Sequence, residues 1–178
     1  MDEWETIERT TAYTCDGFDV VNETVALPDG LETEFDYLEE GESVVILPFT
    51  TAGDVVVIDE WRHAVRRVNH GLPAGSLEGA EEPASGVERE LVEETGYRPG
   101  RVEHLTSVEP TNGFADAVFH YFLAEECAPT GEQSLDPDET IEVSTKPYDE
   151  LLEAVRTGEL RDGRSAFGIC YFELFGRR

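Results

Sequence analysis

The chain has 178 residues, 39% of them hydrophobic, and carries 40 acidic against 13 basic side chains for a formal net charge of -27. That length suits a single domain burying roughly 70% of its unfolded surface, and the charge argues against nucleic acid, whose phosphate backbone needs basic surface. Cys15, Cys127 and Cys170 are too scattered for a disulfide framework or a zinc site, and no apolar run is long enough to span a bilayer.

Acid is spread along the whole chain rather than gathered in a tail, and Lys146 is the sole lysine. Such a surface suits a salt-loaded cytoplasm, because at about 1 M salt the Debye length falls to roughly 3 Å and self-repulsion is screened. An extreme halophile is the expected source. The N-terminus, Met1-Asp2-Glu3-Trp4-Glu5, is acidic where a signal peptide is basic and then apolar, so a cytoplasmic location is expected.

Residues 1 to about 40 read as short strands, Thr10 to Val20, Asn22 to Leu27 and Glu32 to Glu39, with Pro28-Asp29-Gly30 turning between the last two. Ser43 to Phe49 and Asp54 to Trp61 are β-branched runs joined by Thr51-Ala52-Gly53, which predicts a hairpin of buried strands. A loop rich in Gly and Pro follows, from His70 to Glu82. Pro83 suits the first turn of a helix, and Gly96 its C-terminal stop. Val87 and Leu91 are four apart and face inward. Glu90, Glu93 and Glu94 share another face, and crowded like charges there become favourable once divalent cations sit between them and a polyanion. Further strands are expected over Val102 to Val108, Ala117 to Ala124 and Thr140 to Ser144, with a polar loop from Glu125 to Asp138. Helices are expected from Tyr148 to Thr157, stopping at Gly158, and from Ser165 to Phe175, capped by Ser165. The pattern indicates a mixed sheet covered by helices, an α/β (α+β) fold.

The segment from Gly75 to Tyr97 reads Gly, five residues, Glu81, seven residues, Arg89-Glu90, an apolar residue, any residue, Glu93-Glu94, any residue, Gly96, apolar. With nine defined positions filled, residue frequencies give a chance match of about one in a hundred thousand or rarer. The segment resembles the Nudix box, the mark of hydrolases that cleave nucleoside diphosphates linked to another moiety. Glu60-Trp61-Arg62, Leu72-Pro73-Ala74-Gly75, Glu109 to Asp116 and Asp138-Glu139-Thr140-Ile141-Glu142-Val143 are similar to elements of the ADP-ribose pyrophosphatase branch. Against that branch, Gly71 stands where Glu is usual, Ala117 where another Glu is usual, and Glu60 where Gln is usual.

The resemblance implies a Nudix α/β/α sandwich over residues 42 to 178, preceded by an N-terminal antiparallel β-sheet extension over residues 1 to 41 that forms a homodimer. It implies a Mg²⁺ or Mn²⁺ cofactor held by Glu90, Glu94 and the Ala74 carbonyl, with Glu93 completing the shell or polarising the water. Glu81 adds a ligand or holds the loop, and Arg89 braces the glutamates. Glu139 is the candidate base with Glu142 behind it, and Arg62 and Gly75 are the candidate substrate-binding positions. Arg62, Arg66, Arg67, Arg89, Arg98 and Arg101 would form a cationic patch near the box. The implied partner is a small-molecule nucleoside diphosphate sugar, ADP-ribose first. The alternatives are GDP-mannose or another such compound, an oxidised nucleoside triphosphate, or a binding domain without turnover.

Overall fold

A computed structural model describes residues 3–131, 133–137 and 139–176. Met1, Asp2 and Asp138, which figured in the sequence reading, lie outside the described residues. The chain divides into two compact units, one made of residues up to Glu42 together with Val108–Phe119, the other of Ser43–Ser107 and the remainder from His120.

The first unit contains an antiparallel sheet of β1 (Glu5–Thr14), β2 (Asp19–Ala26) and β3 (Glu32–Glu39) in that order. The single strand expected from Thr10 to Val20 is instead the end of β1, a turn and the start of β2. Asp16-Gly17 lies in that turn, which is closed by the Cys15 amide donating to the Phe18 carbonyl at 3.2 Å. The Pro28-Asp29-Gly30 turn forms as expected, with Gly30 at φ 85, a left-handed geometry that glycine adopts without steric cost. Val21 and Val25 are buried, whereas every residue of β1 is exposed. The segment Val108–Phe119 adds a parallel bridge from Ala115 to Leu38, and Asp116 accepts the Glu40 amide at 2.8 Å.

The second unit is built on a mixed sheet. Its strands are β4 (Glu42–Thr50), β5 (Asp54–Arg62), β6 (Arg67–Gly71), β7 (Ala74–Ser76), β8 (Tyr97–Arg98), β9 (Arg101–Val108), β10 (Val118–Pro129) and β11 (Ile141–Pro147). The order β11-β5-β4-β10-β8 forms its path, with β6 on β5, β7 on β4 and β9 on β10. The helices are α1 (Pro83–Thr95), α2 (Tyr148–Thr157) and α3 (Gly163–Tyr171), the last running into a π-helical turn, Phe172–Gly176.

Alternation along β4 sorts the core. Val44 and Ile46 join Val87, Leu91, Phe122, Ala124 and Cys127 in one cluster under α1. On the other face, Phe49 stacks with Tyr148 of α2 and with Phe172, at 5.7 and 5.5 Å between ring centroids. Tyr121 meets Phe167 of α3 at 4.9 Å. The sheet is therefore sandwiched, α1 on one side and α2 with α3 on the other, the α+β class that the residue pattern indicated.

Helix ends follow the local chemistry. Pro83 opens α1, and Gly96, at φ 70, closes it by donating its amide to the Val92 carbonyl at 2.9 Å. Gly158 ends α2 at φ 74. The third helix starts two residues earlier than expected. Asp162 is its cap and accepts the Ser165 amide at 3.2 Å, while Ser165 itself is fully buried inside the first turn. Within the expected loop from His70 to Glu82, residues up to Gly71 continue β6, and Ala74–Ser76 pairs with Ser43–Val45. β10 also runs on to Pro129, through residues expected to be loop.

Candidate active site

The second unit holds a polar cavity of about 540 Å³. β7 and the facing side of α1 line one part of it, with Ala74, Gly75, Glu90, Glu93 and Glu94. Glu60 and Arg62 enter from the end of β5, Glu139 and Asp136 from the chain before β11, and Arg164 from the first turn of α3. Every candidate of the sequence reading in the list Glu93, Glu139, Arg62, Gly75, Ala74, Glu90 and Glu94 lines this space.

Pairing of β7 with β4 brings the helix and strand very close. An added Cβ on Gly75 would lie 2.1 Å from Glu90 Cδ and 2.2 Å from each of its carboxylate oxygens. Only glycine leaves room for that carboxylate. One turn on, Glu94 Oε2 accepts the Ala74 amide at 3.0 Å. Glu90 and Glu94 are 9% and 3% exposed, so two acids of α1 are buried against a strand edge.

Arg89 makes this tolerable. Its Nε and Nη2 donate to the two oxygens of Glu81 at 3.2 and 2.8 Å, Nη1 to Glu90 and Glu93 at 2.8 and 3.2 Å, and Nη2 also to the Ser76 carbonyl at 2.9 Å. All five donors of the guanidinium are used, as expected of a brace. Glu81 thereby ties the loop to the helix. The hydrogen bond from Arg89 holds its carboxyl below the usual range.

The acids deeper in the cavity shift the other way. Burial, reinforced by Glu90, Glu139 and Glu60, pushes the Glu94 carboxyl up to about 8 against the opposing Ala74 amide. Burial also raises Glu90, with Arg89 opposing and Glu93 and Glu139 adding to it. Glu60 is raised by burial and by Glu139 and Asp162, against Arg62 and Arg164. These are hard oxygen donors in a low-dielectric setting that disfavours their ionised form, a cost that a bound divalent cation would offset. Among the described residues no three acids, imidazoles or thiols already converge as a ligand set.

The chain that carries Glu139 is tied to the end of α1. Gln133 Nε2 donates to the Glu94 carbonyl at 2.6 Å and the Ile141 carbonyl at 3.3 Å, and the Ser134 amide donates to the Glu93 carbonyl at 2.9 Å. Glu139 Oε2 accepts the Asp136 amide at 3.0 Å. Glu142 is exposed and does not line the cavity, because one step along β11 reverses the side chain.

The expected cationic patch is smaller than its six arginines. Arg62 pairs with Glu60 at 2.7 Å and faces the cavity, and Arg89 is the brace. Arg67 turns to Asn69, Arg98 to Glu88 and Arg101 to Glu103, and Arg66 and these three stand outside the cavity lining. Arg164 is a lining residue that sequence reasoning missed. Its only signal was an arginine two residues after a helix-capping aspartate. The segment Glu109 to Asp116 belongs to the other unit.

The NUDIX domain family model matches residues 40–165. ADP-ribose pyrophosphatase of Bacillus subtilis is 33% identical over 173 residues, covering 97% of this chain and 94% of that protein. GDP-mannose pyrophosphatase of Escherichia coli is 29% identical over 145 residues, covering 76% and 75%. A crystal structure of an ADP compounds hydrolase aligns with a TM-score of 0.85 over 98% of this chain and 95% of that one, at 14% identity, a likeness of fold. With an unbroken box placed on α1 and β7, a matching family model over most of the length and a relative alike from end to end, the chain belongs to the NUDIX domain family.

Proposed function

We propose that the protein is a metal-dependent hydrolase of nucleoside diphosphate sugars, with ADP-ribose as the favoured substrate and AMP and ribose 5-phosphate as products. The observation that carries the reading is the pair of buried carboxylates, Glu90 and Glu94, packed against Ala74-Gly75 in a polar cavity. Likeness to the ADP-ribose pyrophosphatase along the full length supports the substrate. Likeness to the GDP-mannose pyrophosphatase favours GDP-mannose as the second reading.

A divalent ion, Mg²⁺ or Mn²⁺, would be held by Glu90, Glu94, the Ala74 carbonyl and Glu93, and when bound supplies charge neutralisation on the diphosphate oxygens. Glu139 is the better base. Its carboxylate lines the cavity and accepts the Asp136 amide, whereas Glu93 is engaged by Arg89. Arg62, which lines the cavity beside Glu60, is the candidate donor to a substrate phosphate. The test is a panel of nucleoside diphosphate compounds in molar salt with Mg²⁺ and product identification. AMP from ADP-ribose supports the reading, pyrophosphate from a triphosphate redirects it, and silence across the panel defeats it. Glu139→Gln is expected to lower kcat by about 10² to 10⁴, and Glu93→Gln to lower it by orders of magnitude through weaker metal binding.

Three further elements belong to the same reading. The N-terminal extension, residues 1 to 41, forms a homodimer; the fully exposed β1 and the exposed Trp4, Ile7, Tyr13 and Phe35 support it. Sedimentation in molar salt decides it, and a monomer at micromolar concentration rejects it. The acidic composition supports a halophilic source and a cytoplasmic site of action. Among the described residues no helix is long and apolar enough to cross a membrane.

A further inference from the structure

The cavity must accept an anion although it is lined by Glu60, Glu78, Glu90, Glu93, Glu94, Asp136 and Glu139. Arg89 has no donor left for a substrate. The remaining cations of the lining are Arg62 and Arg164. Arg164 Nε lies 3.4 Å from Asp162 Oδ1, and the guanidinium makes no other hydrogen bond among the described residues. Its terminal donors are therefore available to a ligand, and its side chain is 29% exposed. Together with Arg62 it acts on Glu60, which places both guanidinium groups about one carboxylate.

The position of Arg164 is fixed from behind. Asp162 accepts the Ser165 amide at 3.2 Å and the Ser165 hydroxyl at 2.5 Å, and that hydroxyl accepts the Leu72 amide at 2.8 Å. Burial pushes the Asp162 carboxyl up, but Arg164 and Ser165 more than offset this and hold it below the usual range, an ionised anchor. Leu72 runs directly into β7. A Cβ on Gly71 would stand 2.6 Å from Ser165 Oγ and 3.2 Å from Asp162 Oδ2. Glycine at 71 is what admits the anchor, and glycine there is also one of the departures noted in the sequence.

We propose that Arg164 is a substrate-binding residue whose guanidinium donates to the diphosphate oxygens of the nucleoside diphosphate sugar, held in register with β7 by Asp162, Ser165 and Leu72. The proposal rests on the hydrolase reading above. Charge-assisted hydrogen bonds to phosphate are strong and geometrically selective, so Arg164→Ala is expected to raise KM for ADP-ribose about tenfold or more. Because Arg164 belongs to α3 and its hydrogen bond goes to Asp162 rather than to the acids of α1, kcat is expected to change less than about threefold and the Mn²⁺ dissociation constant to stay unchanged. Arg164→Lys restores part of the loss. Calorimetric titration with inorganic pyrophosphate and Mn²⁺, in variants whose melting curves match the parent, reads the same site without turnover. Parallel weakening of pyrophosphate binding supports the proposal. An unchanged KM and unchanged pyrophosphate affinity overturn it, as does a fall in kcat and Mn²⁺ affinity with KM intact. If the parent protein hydrolyses nothing on the panel, the hydrolase reading fails, and the pyrophosphate titration still decides the role of Arg164.

Discussion

Gly75→Ala tests the contact on which the site is built. The added Cβ would meet Glu90 Cδ at 2.1 Å and both Oε atoms at 2.2 Å, so the carboxylate must withdraw by more than 1 Å to reach an ordinary separation of about 3.5 Å. Withdrawal strains its 2.8 Å hydrogen bond from Arg89. Overpacking of this kind costs about 1–3 kcal/mol, and the smaller unfolded-state entropy of alanine returns about 0.4–1 kcal/mol. A net loss of about 1–2 kcal/mol follows, a fall of a few degrees in Tm for a chain this long. The catalytic loss is much larger, because about 1 Å of misplacement at a reacting centre costs on the order of 10²-fold. The assay is kcat as a function of Mg²⁺ concentration, beside melting curves with and without Mg²⁺. The expected variant is folded, at least about 10²-fold slower, and loses the thermal shift that Mg²⁺ confers. Gly17→Ala, where a Cβ meets nothing within 4 Å, serves as the control. Parental kcat and Mg²⁺ response in Gly75→Ala would refute the claim that this glycine exists to make room for Glu90.

Glu94 makes a pH prediction. Its folded carboxyl titrates at about 8 against 4.5 for the unfolded chain, so its contribution to metal-free stability is full below 4.5 and is lost as pH rises to about 8. Glu94→Gln in EDTA is expected to gain on the parent through that window, by up to about 5 kcal/mol above pH 8, and to lose Mg²⁺ stabilisation; denaturant titrations across pH check both. Arg89→Ala strands Glu81, Glu90 and Glu93, and costs about 2–4 kcal/mol by chemical denaturation at pH 7. Arg89→Lys recovers little, since three donors cannot serve five acceptors. Circular dichroism against salt checks the charge reading: unfolding in low salt, reversed by molar salt, is expected from -27, and indifference contradicts it.

What could be read in the residues was what short-range chemistry decides. The α1 boundaries follow from Pro83 and Gly96, and its inward face from Val87 and Leu91. Its acidic face was legible because fixed spacing puts Glu90 and Glu94 on one side of any helix. Long-range pairing was not legible. β7 is three residues that form a strand only because Ser43–Val45 lies beside them, and β6 is held by Ile58–Arg62. Asp16-Gly17 was a local turn signal hidden inside a run of strand-forming residues. Arg164 enters the cavity because α3 is capped at Asp162, and the residues alone do not separate Asp162 from Ser165 as the cap, since either carboxylate or hydroxyl fits that role. Arg66, Arg67, Arg98 and Arg101 are close to the box in sequence only: Arg66 sits in a turn, Arg67 bonds Asn69, and Glu88 and Glu103 hold Arg98 and Arg101.

The excursion of Val108–Phe119 into the N-terminal unit means that the polypeptide passes between its two bodies three times. No single cleavage can therefore release one body intact. A truncation after Gly41 would strip Ala115 of its Leu38 bridge and Asp116 of the Glu40 amide, leaving an orphaned twelve-residue strap on the remainder. Exchanging the front sheet for that of another protein would require transplanting two pieces of chain together.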